Sequence, residues 1–347
     1  MDRGIVDQLP GFDRRRLVRL MQSAVEQCEL DLSGLSILTE AASGAYATTP
    51  VIAALAAARM VYAFTRASRY GSVEEISAQV EKLAQMAGVA ERITVFDSLP
   101  DTVASTVDIV TNSGHLRPIG TSLIDHLPAH AVIALMYETW EFRSGDLDVH
   151  ACHRRGIRIA GVNERHPNVD VFSFLGPLAV KLLHQAGVAV YQSRIVLLCD
   201  NHFAPYIERS LRSLGAVVTL VPAIAAIPKG IADVLLVALR PREKPVVDAQ
   251  AAGVIAERLP GAVLAQYWGD IDRIALRSFG VSVWPPNEPQ VGHMAILLSA
   301  LGPEPVIRLQ TGGLRAAETV LRFGPEACTP GSVAELLSDV SLMPRRY

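Results

Sequence analysis

Charged side chains gather beside aromatic rings in one stretch of the sequence, residues 137–148. Glu138 and Glu141 could act there as general bases, and Arg143 could clamp an anion. Carboxylates exchange protons with substrates, and a guanidinium group binds carboxylate or phosphate through paired hydrogen bonds. A salt-bridged surface turn is the alternative, but so many charges beside aromatic rings are hard to explain by packing alone. The stretch therefore predicts a ligand site.

A histidine adds a group that titrates near neutral pH. His166 closes the charged segment at residues 163–166, which follows a strand and precedes an apolar segment of helical pattern. An imidazole there could pass a proton in either direction. The start of a helix is the alternative interpretation. We predict that His166 joins the catalytic group.

A turn of small residues after the first predicted strand is a candidate cradle for a nucleotide. It contains Gly44, followed by Thr48 and Thr49 as candidate helix N-caps. Thr65 ends the next strand and Asn112 ends the fourth, near where ribose or phosphate lies in a mononucleotide-binding fold. An ordinary capped turn is the alternative. We predict that these five residues contact a cofactor.

The elements that must position these groups alternate between strand and helix. After an amphipathic helix at residues 13–28, short apolar runs alternate with helical patterns. Such a pattern predicts a parallel sheet with helices on both faces. The strands predicted for the first half are 35–40, 60–66, 92–97, 107–112 and 131–138.

The second half repeats this pattern after an apolar helical segment that ends at Gly187. We predict an α/β fold of two Rossmann-like lobes, each a doubly wound parallel sheet, with a cleft between them. The first lobe comprises 1–186, completed by 310–347, and the second comprises 187–309. The second set of strands is 194–200, 216–222, 233–239, 262–268 and 281–285.

Composition narrows the class of partner. The 347 residues are 50% hydrophobic and 19% charged, with a formal net charge of −3. Mixed charges and a near-neutral balance predict neither nucleic-acid nor membrane binding, and instead a small-molecule substrate or a protein partner. Four dispersed cysteines and no signal-peptide pattern predict reduced thiols, a cytoplasmic location and no metal site.

Residues 105–320 resemble the D-isomer-specific 2-hydroxyacid dehydrogenases, which are related in fold to formate dehydrogenase. The resemblance rests on the segments 146–183, 195–221 and 260–276. It implies that the second lobe is the cofactor-type lobe, that NAD(P) is the cofactor, and that the protein is a homodimer. The first half is also similar to S-adenosylmethionine-dependent methyltransferases in its order of elements.

The chemical motifs of the dehydrogenases are altered in this sequence. The three glycine positions of their phosphate-binding turn hold Cys199, Asn201 and Ala204, although glycine leaves the room that the pyrophosphate needs. Trp268 stands where they have a substrate-binding arginine, and Gln310 stands at the acid/base histidine. Since glutamine cannot exchange a proton at neutral pH, ordinary 2-hydroxyacid dehydrogenase chemistry is disfavoured.

The altered turn still belongs to the predicted cofactor-binding set. Asp200, Asn201 and His202 occupy it, and Trp268 lies at the end of a later strand. A carboxylate repels a pyrophosphate, so this lobe either binds an uncharged or cationic group or is structural. The sequence predicts a divergent enzyme with a nucleotide-type cofactor, either NAD(P) or S-adenosylmethionine. A non-catalytic ligand-binding or scaffold protein remains the alternative.

Overall fold

The computed structural model describes residues 9–337, which divide by their internal contacts into two units. Unit 1 is described over residues 9–171 and 302–337, and unit 2 over 172–301. The predicted α/β class with two Rossmann-like lobes is confirmed. The predicted domain limits, 186/187 and 309/310, differ from these contact-based limits because the apolar helix before Gly187 packs within unit 2. None of the described helices is long and apolar enough to cross a membrane.

Unit 1 contains a seven-stranded sheet whose order is β3-β2-β1-β4-β5-β6-β12. The first six strands run parallel, and β12 pairs with β6 in the antiparallel sense. The order 3-2-1-4-5-6 is that of dinucleotide-binding domains. The strands are β1 (Ser36–Glu40), β2 (Met60–Phe64), β3 (Ile93–Phe96), β4 (Ile109–Thr111), β5 (Val132–Ala134), β6 (Arg158–Val162) and β12 (Ala334–Leu336).

Local capping residues in the sequence explain where helices of unit 1 begin and end. The carboxylate of Asp13 accepts a hydrogen bond from the Arg16 amide (3.1 Å) and caps the first helix. Ser72 and Glu75 form a reciprocal capping box on the third, which ends at Gly88 with φ of 72°. The helices are α1 (Arg14–Gln27), α2 (Thr48–Leu55), α3 (Val73–Ala87), α4 (Asp101–Ala104), α5 (Thr121–Ile124), α6 (Val149–Arg155) and α11 (Glu304–Phe323).

Unit 2 is a smaller parallel sheet of order β11-β10-β9-β7-β8. Renumbered within the unit and read from its other edge, this is 2-1-3-4-5, the flavodoxin-like order. The unit expected to be cofactor-type therefore lacks the 3-2-1-4-5-6 order, which unit 1 has. Its elements are α7 (Leu175–Gln185), β7 (Arg194–Cys199), α8 (Ala204–Ser213), β8 (Val217–Val221), β9 (Val234–Ala238), α9 (Ala249–Arg258), β10 (Val263–Trp268), α10 (Arg273–Ser278) and β11 (Val283–Trp284).

Helix α11 packs across the middle of unit 1 through two adjacent glycines. It contacts β5, β6, α1 and α2. A Cβ on Gly312 would lie 2.8 Å from both methyl groups of Val169, and one on Gly313 would lie 2.5 Å from the sulfur of Met136. The glycines therefore allow the helix to approach the segments that follow β5 and β6.

We expect Gly312→Ala to destabilise the protein by about 1–2 kcal/mol and Gly313→Ala to cost less. Both changes gain the same helix propensity, so this contribution cancels in the comparison. The added methyl at 312 meets stiff, buried valines, whereas the one at 313 meets a flexible thioether. Urea unfolding of the two variants checks the order of stability, and equal losses would contradict it.

Candidate functional site

Polar side chains collect at the edge of unit 1 where its parallel strands end, here called the strand-exit edge. Glu40 ends β1, Thr65 follows β2, Asn112 follows β4, and Glu138 and Glu164 follow β5 and β6. All five residues are buried. Ligands of open α/β sheets bind outside the carboxyl ends of the strands, so this edge is the candidate site.

The Glu138 carboxyl is the centre of a hydrogen-bonded group after β5. Its Oε1 accepts hydrogen bonds from the Glu164 amide and from Nε of Arg165, each at 3.0 Å. Its Oε2 accepts a hydrogen bond from the indole Nε1 of Trp140. Burial raises the pKa of Glu138, and the contacts with Trp140 and Arg165 partly offset this effect. The carboxyl is thus fixed by groups from two strand ends.

Glu164 has the most strongly perturbed carboxyl at this edge. The residue is only 6% exposed, and burial raises its pKa well above the ordinary value. The charges of Glu141, Glu138 and Glu335 raise the pKa further, while Arg165 lowers it. Over residues 9–337 no group of three or more acidic, His or Cys side chains is arranged to hold a metal ion. Because burial and neighbouring carboxylates favour the uncharged form of Glu164, we interpret these glutamates with Arg165, here called the glutamate cluster, as a site that favours a bound proton.

The antiparallel strand β12 contributes Glu335 to the glutamate cluster. The Glu335 carboxylate accepts hydrogen bonds from the amide and the hydroxyl of Thr139 at 3.0 and 2.8 Å. It also lies 3.8 Å from the Arg165 guanidinium. The 3₁₀ turn after β5 is thereby attached to a strand almost two hundred residues later in the chain.

Arg143 belongs to a second group, built around Tyr137. Its Nε donates to the Asp146 carboxylate (3.1 Å), and its guanidinium lies 4.9 Å from the centre of the Tyr137 ring. The Tyr137 hydroxyl donates to Asp146 and accepts from the Asn112 amide, both at 3.0 Å. Arg117 binds the Asn112 carbonyl and side-chain oxygens. Burial is the main cause that raises the pKa of the Tyr137 phenol.

The four predicted catalytic residues thus occupy different surroundings. Glu138 and Glu141 are together in the glutamate cluster, since the charge of Glu141 acts on Glu164. Arg143 is engaged by Asp146 in the tyrosine group. His166 is half-buried, and its Nδ1 accepts a hydrogen bond from the Asn168 amide at 3.2 Å.

The predicted nucleotide turn of unit 1 is folded as a 3₁₀ turn at Gly44–Ala47 followed by α2. Thr48 and Thr49 lie inside the first turn of α2 rather than at its N-cap, which is Ala47. The Thr48 hydroxyl donates to the Ala45 carbonyl (2.6 Å), and that of Thr49 donates to Gln310 (3.1 Å). Gly44 adopts φ of 63°, which favours glycine, and its amide donates to the side chain of Gln79 (3.3 Å).

The altered turn of unit 2 is closed by its own side chains. The amide of Asn201 donates to the Ala238 carbonyl (2.7 Å), and its Oδ1 accepts from the Phe203 amide (3.0 Å). The Asp200 carboxylate accepts from the Arg240 amide (2.9 Å). The bonds to Ala238 and Arg240 join the end of β7 to the end of β9, and the order of this sheet reverses between these two strands. A ligand of a flavodoxin-like sheet would lie at that place.

The other two predicted cofactor contacts of unit 2, His202 and Trp268, both adjoin Phe203 at the end of the altered turn. Trp268 is buried, stacks on Phe203 with ring centres 5.0 Å apart, and donates from Nε1 to the Gly292 carbonyl (3.1 Å). His202 is exposed directly before Phe203. An NAD(P) pyrophosphate does not fit this turn, because a carboxylate and a bound amide occupy the space that glycines leave open.

Sequence reasoning missed Glu40 and gave Glu164 no role. The Oε2 atom of Glu40 accepts a hydrogen bond from the His115 amide (2.9 Å), and burial raises its pKa. A Cβ on Gly114 would lie 2.6 Å from that oxygen, so the close approach needs glycine. The available signal was a glutamate directly after an apolar strand, which occurs at both positions.

Comparison with known proteins finds structures of similar fold but no related sequence. No protein-family model and no curated protein sequence matches the chain. A dipicolinate synthase structure from Bacillus halodurans is similar, with a TM-score of 0.53 and 13% sequence identity over 84% of this chain and 99% of that one. The corresponding dipicolinate synthase structure from Bacillus subtilis has a TM-score of 0.53 and 12% identity over 85% and 99%.

The protein has the fold of these dipicolinate synthase structures. This likeness supports the predicted resemblance at the level of the fold, in agreement with the two Rossmann-like units described above. A glyoxylate reductase from Paecilomyes thermophila is also similar, with a TM-score of 0.43 and 16% identity over 88% of this chain and 98% of that one. At these sequence identities, the fold shared with dipicolinate synthase does not indicate the substrate of this protein.

Proposed function

We propose that this chain is a divergent enzyme of the 2-hydroxyacid dehydrogenase fold that acts by acid/base chemistry on a small polar metabolite. The observation that carries the proposal is Glu164, a buried carboxyl with a raised pKa at the end of a parallel strand. Strongly perturbed carboxyls in such positions are typical of catalytic acids and bases. A nucleotide-type cofactor, NAD(P) or S-adenosylmethionine, would supply the hydride or methyl group.

The division of roles follows from the contacts of the two central carboxyls. Burial and three neighbouring carboxylates oppose the ionisation of Glu164 and so favour its protonated form. It can therefore donate that proton to a developing negative charge on a substrate oxygen. Glu138 orients it, since its carboxyl binds the Glu164 amide and Arg165. Glu141 contributes negative charge, and Arg143 and His166 remain proposed contacts of the substrate.

Infrared titration tests the central step without knowledge of the substrate. A protonated carboxyl has a carbonyl stretch that a carboxylate lacks, so the wild type is expected to show this band at neutral pH. The band should lose intensity in Glu164→Gln, and any contribution from Glu40 and Glu138, whose pKa values burial also raises, should remain. It should keep its full intensity in Glu91→Gln, a change at a carboxyl that is 71% exposed. If the wild type shows no protonated carboxyl at neutral pH, the acid role is wrong.

Turnover is the second readout. Purified protein is offered small 2-oxo and 2-hydroxy acids with reduced or oxidised NAD(P), followed by nicotinamide absorbance, and with S-adenosylmethionine, followed by release of S-adenosylhomocysteine. We expect activity with one cofactor class, reduced by about 10²- to 10⁴-fold in Glu164→Gln. The Glu91→Gln variant should retain wild-type activity.

A second candidate function is a non-catalytic ligand-binding protein, and one observation favours it. Asp200 and Asn201 close the turn of unit 2 with bonds to the last residue of β9 and to the segment that follows it. A protein that has lost its cofactor would show neither turnover nor a thermal shift with any nucleotide, while a small metabolite would still raise its melting temperature. The homodimer, the cytoplasmic location and the predicted cleft between the lobes remain predictions.

A further inference from the structure

The strand order of unit 1 defines a second candidate ligand position, separate from the glutamate cluster. The order reverses between β1 and β4, and at such a reversal open α/β sheets bind ligands in a crevice outside the carboxyl ends of the strands, here called the β1/β4 crevice. The turn after β1 consists of Ala41, Ala42, Ser43 and Gly44. Small side chains allow a ligand to approach the backbone closely. Neither the 3₁₀ turn nor α2 has a side-chain cap at its start.

A buried polar atom without a partner lies beside this turn. The Thr65 hydroxyl is fully buried, and no hydrogen-bond partner for it is found in the described chain. The Ala41 amide donates to the Phe64 carbonyl (2.8 Å), so the start of the turn adjoins the end of β2. An unpaired buried hydroxyl costs free energy, which a bound ligand could recover.

A positively charged side chain, that of Arg66, directly follows Thr65 in the sequence. Arg66 is exposed, and its one hydrogen bond within the described residues is to the Arg117 carbonyl, at 3.3 Å. None of the described carboxylates forms a salt bridge with it. The positive charge of Arg66 also acts on Glu40 and on His115, whose pKa is lowered mainly by burial. The guanidinium therefore lies close to the β1/β4 crevice.

In dinucleotide-binding domains, the residue type that follows the second strand determines whether NAD or NADP binds more tightly. In a dinucleotide-binding domain an acidic residue at this place binds the 2′-hydroxyl of the adenosine ribose, whereas an arginine accommodates a 2′-phosphate. Residues 65–68 are Thr-Arg-Ala-Ser and contain no acid. Unit 2 has the Asp200 carboxylate in its phosphate turn, which opposes a pyrophosphate. The corresponding carboxyl of unit 1, Glu40 at the end of β1, is buried, and burial raises its pKa and so favours its uncharged form.

We propose that unit 1, rather than unit 2, binds an NADP-type nucleotide, with its 2′-phosphate on Arg66 and its ribose beside Thr65. The inference rests on the proposed function and names its cofactor. It assigns the cofactor role to the unit opposite to the one that the sequence resemblance implies.

Equilibrium binding of NADP⁺, NAD⁺ and adenosine 2′-phosphate, measured by calorimetry, tests the assignment. The wild type is expected to bind NADP⁺ at least about tenfold more tightly than NAD⁺ and also to bind adenosine 2′-phosphate. Arg66→Ala should weaken NADP⁺ binding by about tenfold or more and leave NAD⁺ binding nearly unchanged, because only the contact to the 2′-phosphate is lost.

Two further variants provide a control in unit 2 and a test of the contact with Thr65. Arg242→Ala removes an exposed arginine that pairs with Asp200 at 3.6 Å in unit 2, and it should leave both affinities unchanged. Thr65→Val keeps the shape of the side chain and should weaken both nucleotides without loss of stability. Preference for NAD⁺, loss of binding in Arg242→Ala alone, or no binding by any of the three ligands would overturn the assignment. The infrared band of Glu164 is independent of these outcomes, so failure here is distinguishable from failure of the acid role.

Discussion

Replacement of Glu164 by glutamine is expected to raise the free energy of unfolding at pH 8 by about 1–3 kcal/mol, the range for relief of an unfavourable buried polar group. Burial and the charges of Glu141, Glu138 and Glu335 raise the pKa of Glu164 in the folded protein. The folded state therefore holds a proton that the unfolded chain releases above about pH 4.3. Stability falls as the pH rises from that value toward the folded pKa, and glutamine removes this loss.

The gain should vanish below about pH 4, where the carboxyl is protonated in both states. Urea unfolding of wild type and variant across this pH range measures the difference. Glu91→Gln, at an exposed position, should stay within about 0.5 kcal/mol of wild type throughout. Curves that run parallel at all pH values would show that Glu164 ionises normally. A more stable but inactive variant would be typical of an active-site residue.

Gly176→Ala is expected to destabilise unit 2 by about 3 kcal/mol or more. An added Cβ at this position in α7 would lie 1.8 Å from Oγ and 2.3 Å from Cβ of Ser210 in α8, and 2.9 Å from the Tyr206 carbonyl oxygen. The two helices would have to separate, because a backbone oxygen and a Cβ cannot rotate away.

Gly253→Ala in α9 is the matched control. The nearest atom to its new Cβ is a ring carbon of Phe279 at 3.4 Å, an ordinary contact. Helix propensity should therefore leave this variant unchanged or up to about 1 kcal/mol more stable. Thermal unfolding separates the two outcomes. Ser210→Gly combined with Gly176→Ala should recover part of the loss, and equal melting temperatures for both single variants would contradict the packing argument.

Apolar strands and their alternation with helices were readable from the sequence because buried parallel strands consist of continuous apolar runs. The predicted run 131–138 ends early as β5, since Met136 adopts φ of 65° and turns the chain. The first half of helix α11 is hard to recognise in the sequence, because Gly312 and Gly313 are weak helix formers. Strand β12 is three residues long and gives no periodic signal.

The candidate site was predictable only in part, because its chemistry depends on neighbours distant in the sequence. The charged stretch after β5 was found from composition, and Glu138 is indeed buried at the strand-exit edge. The perturbation of Glu164 depends on Glu335, which β12 brings beside Thr139 and Arg165. No local pattern encodes that pairing. The strand orders that distinguish unit 1 from unit 2 are likewise set by crossovers rather than by any single motif.

The interruption of unit 1 by unit 2 has a consequence for synthesis on the ribosome. Strands β5 and β6 are made before residue 171, but α11, which covers them, is made only after residue 301. Unit 2 is complete in sequence by then and can fold while the first segment waits with apolar surface exposed. The nascent chain therefore carries an unfinished amino-terminal half for about 130 residues of translation, roughly 6–26 s at about 5–20 residues per second, the interval in which chaperones would act.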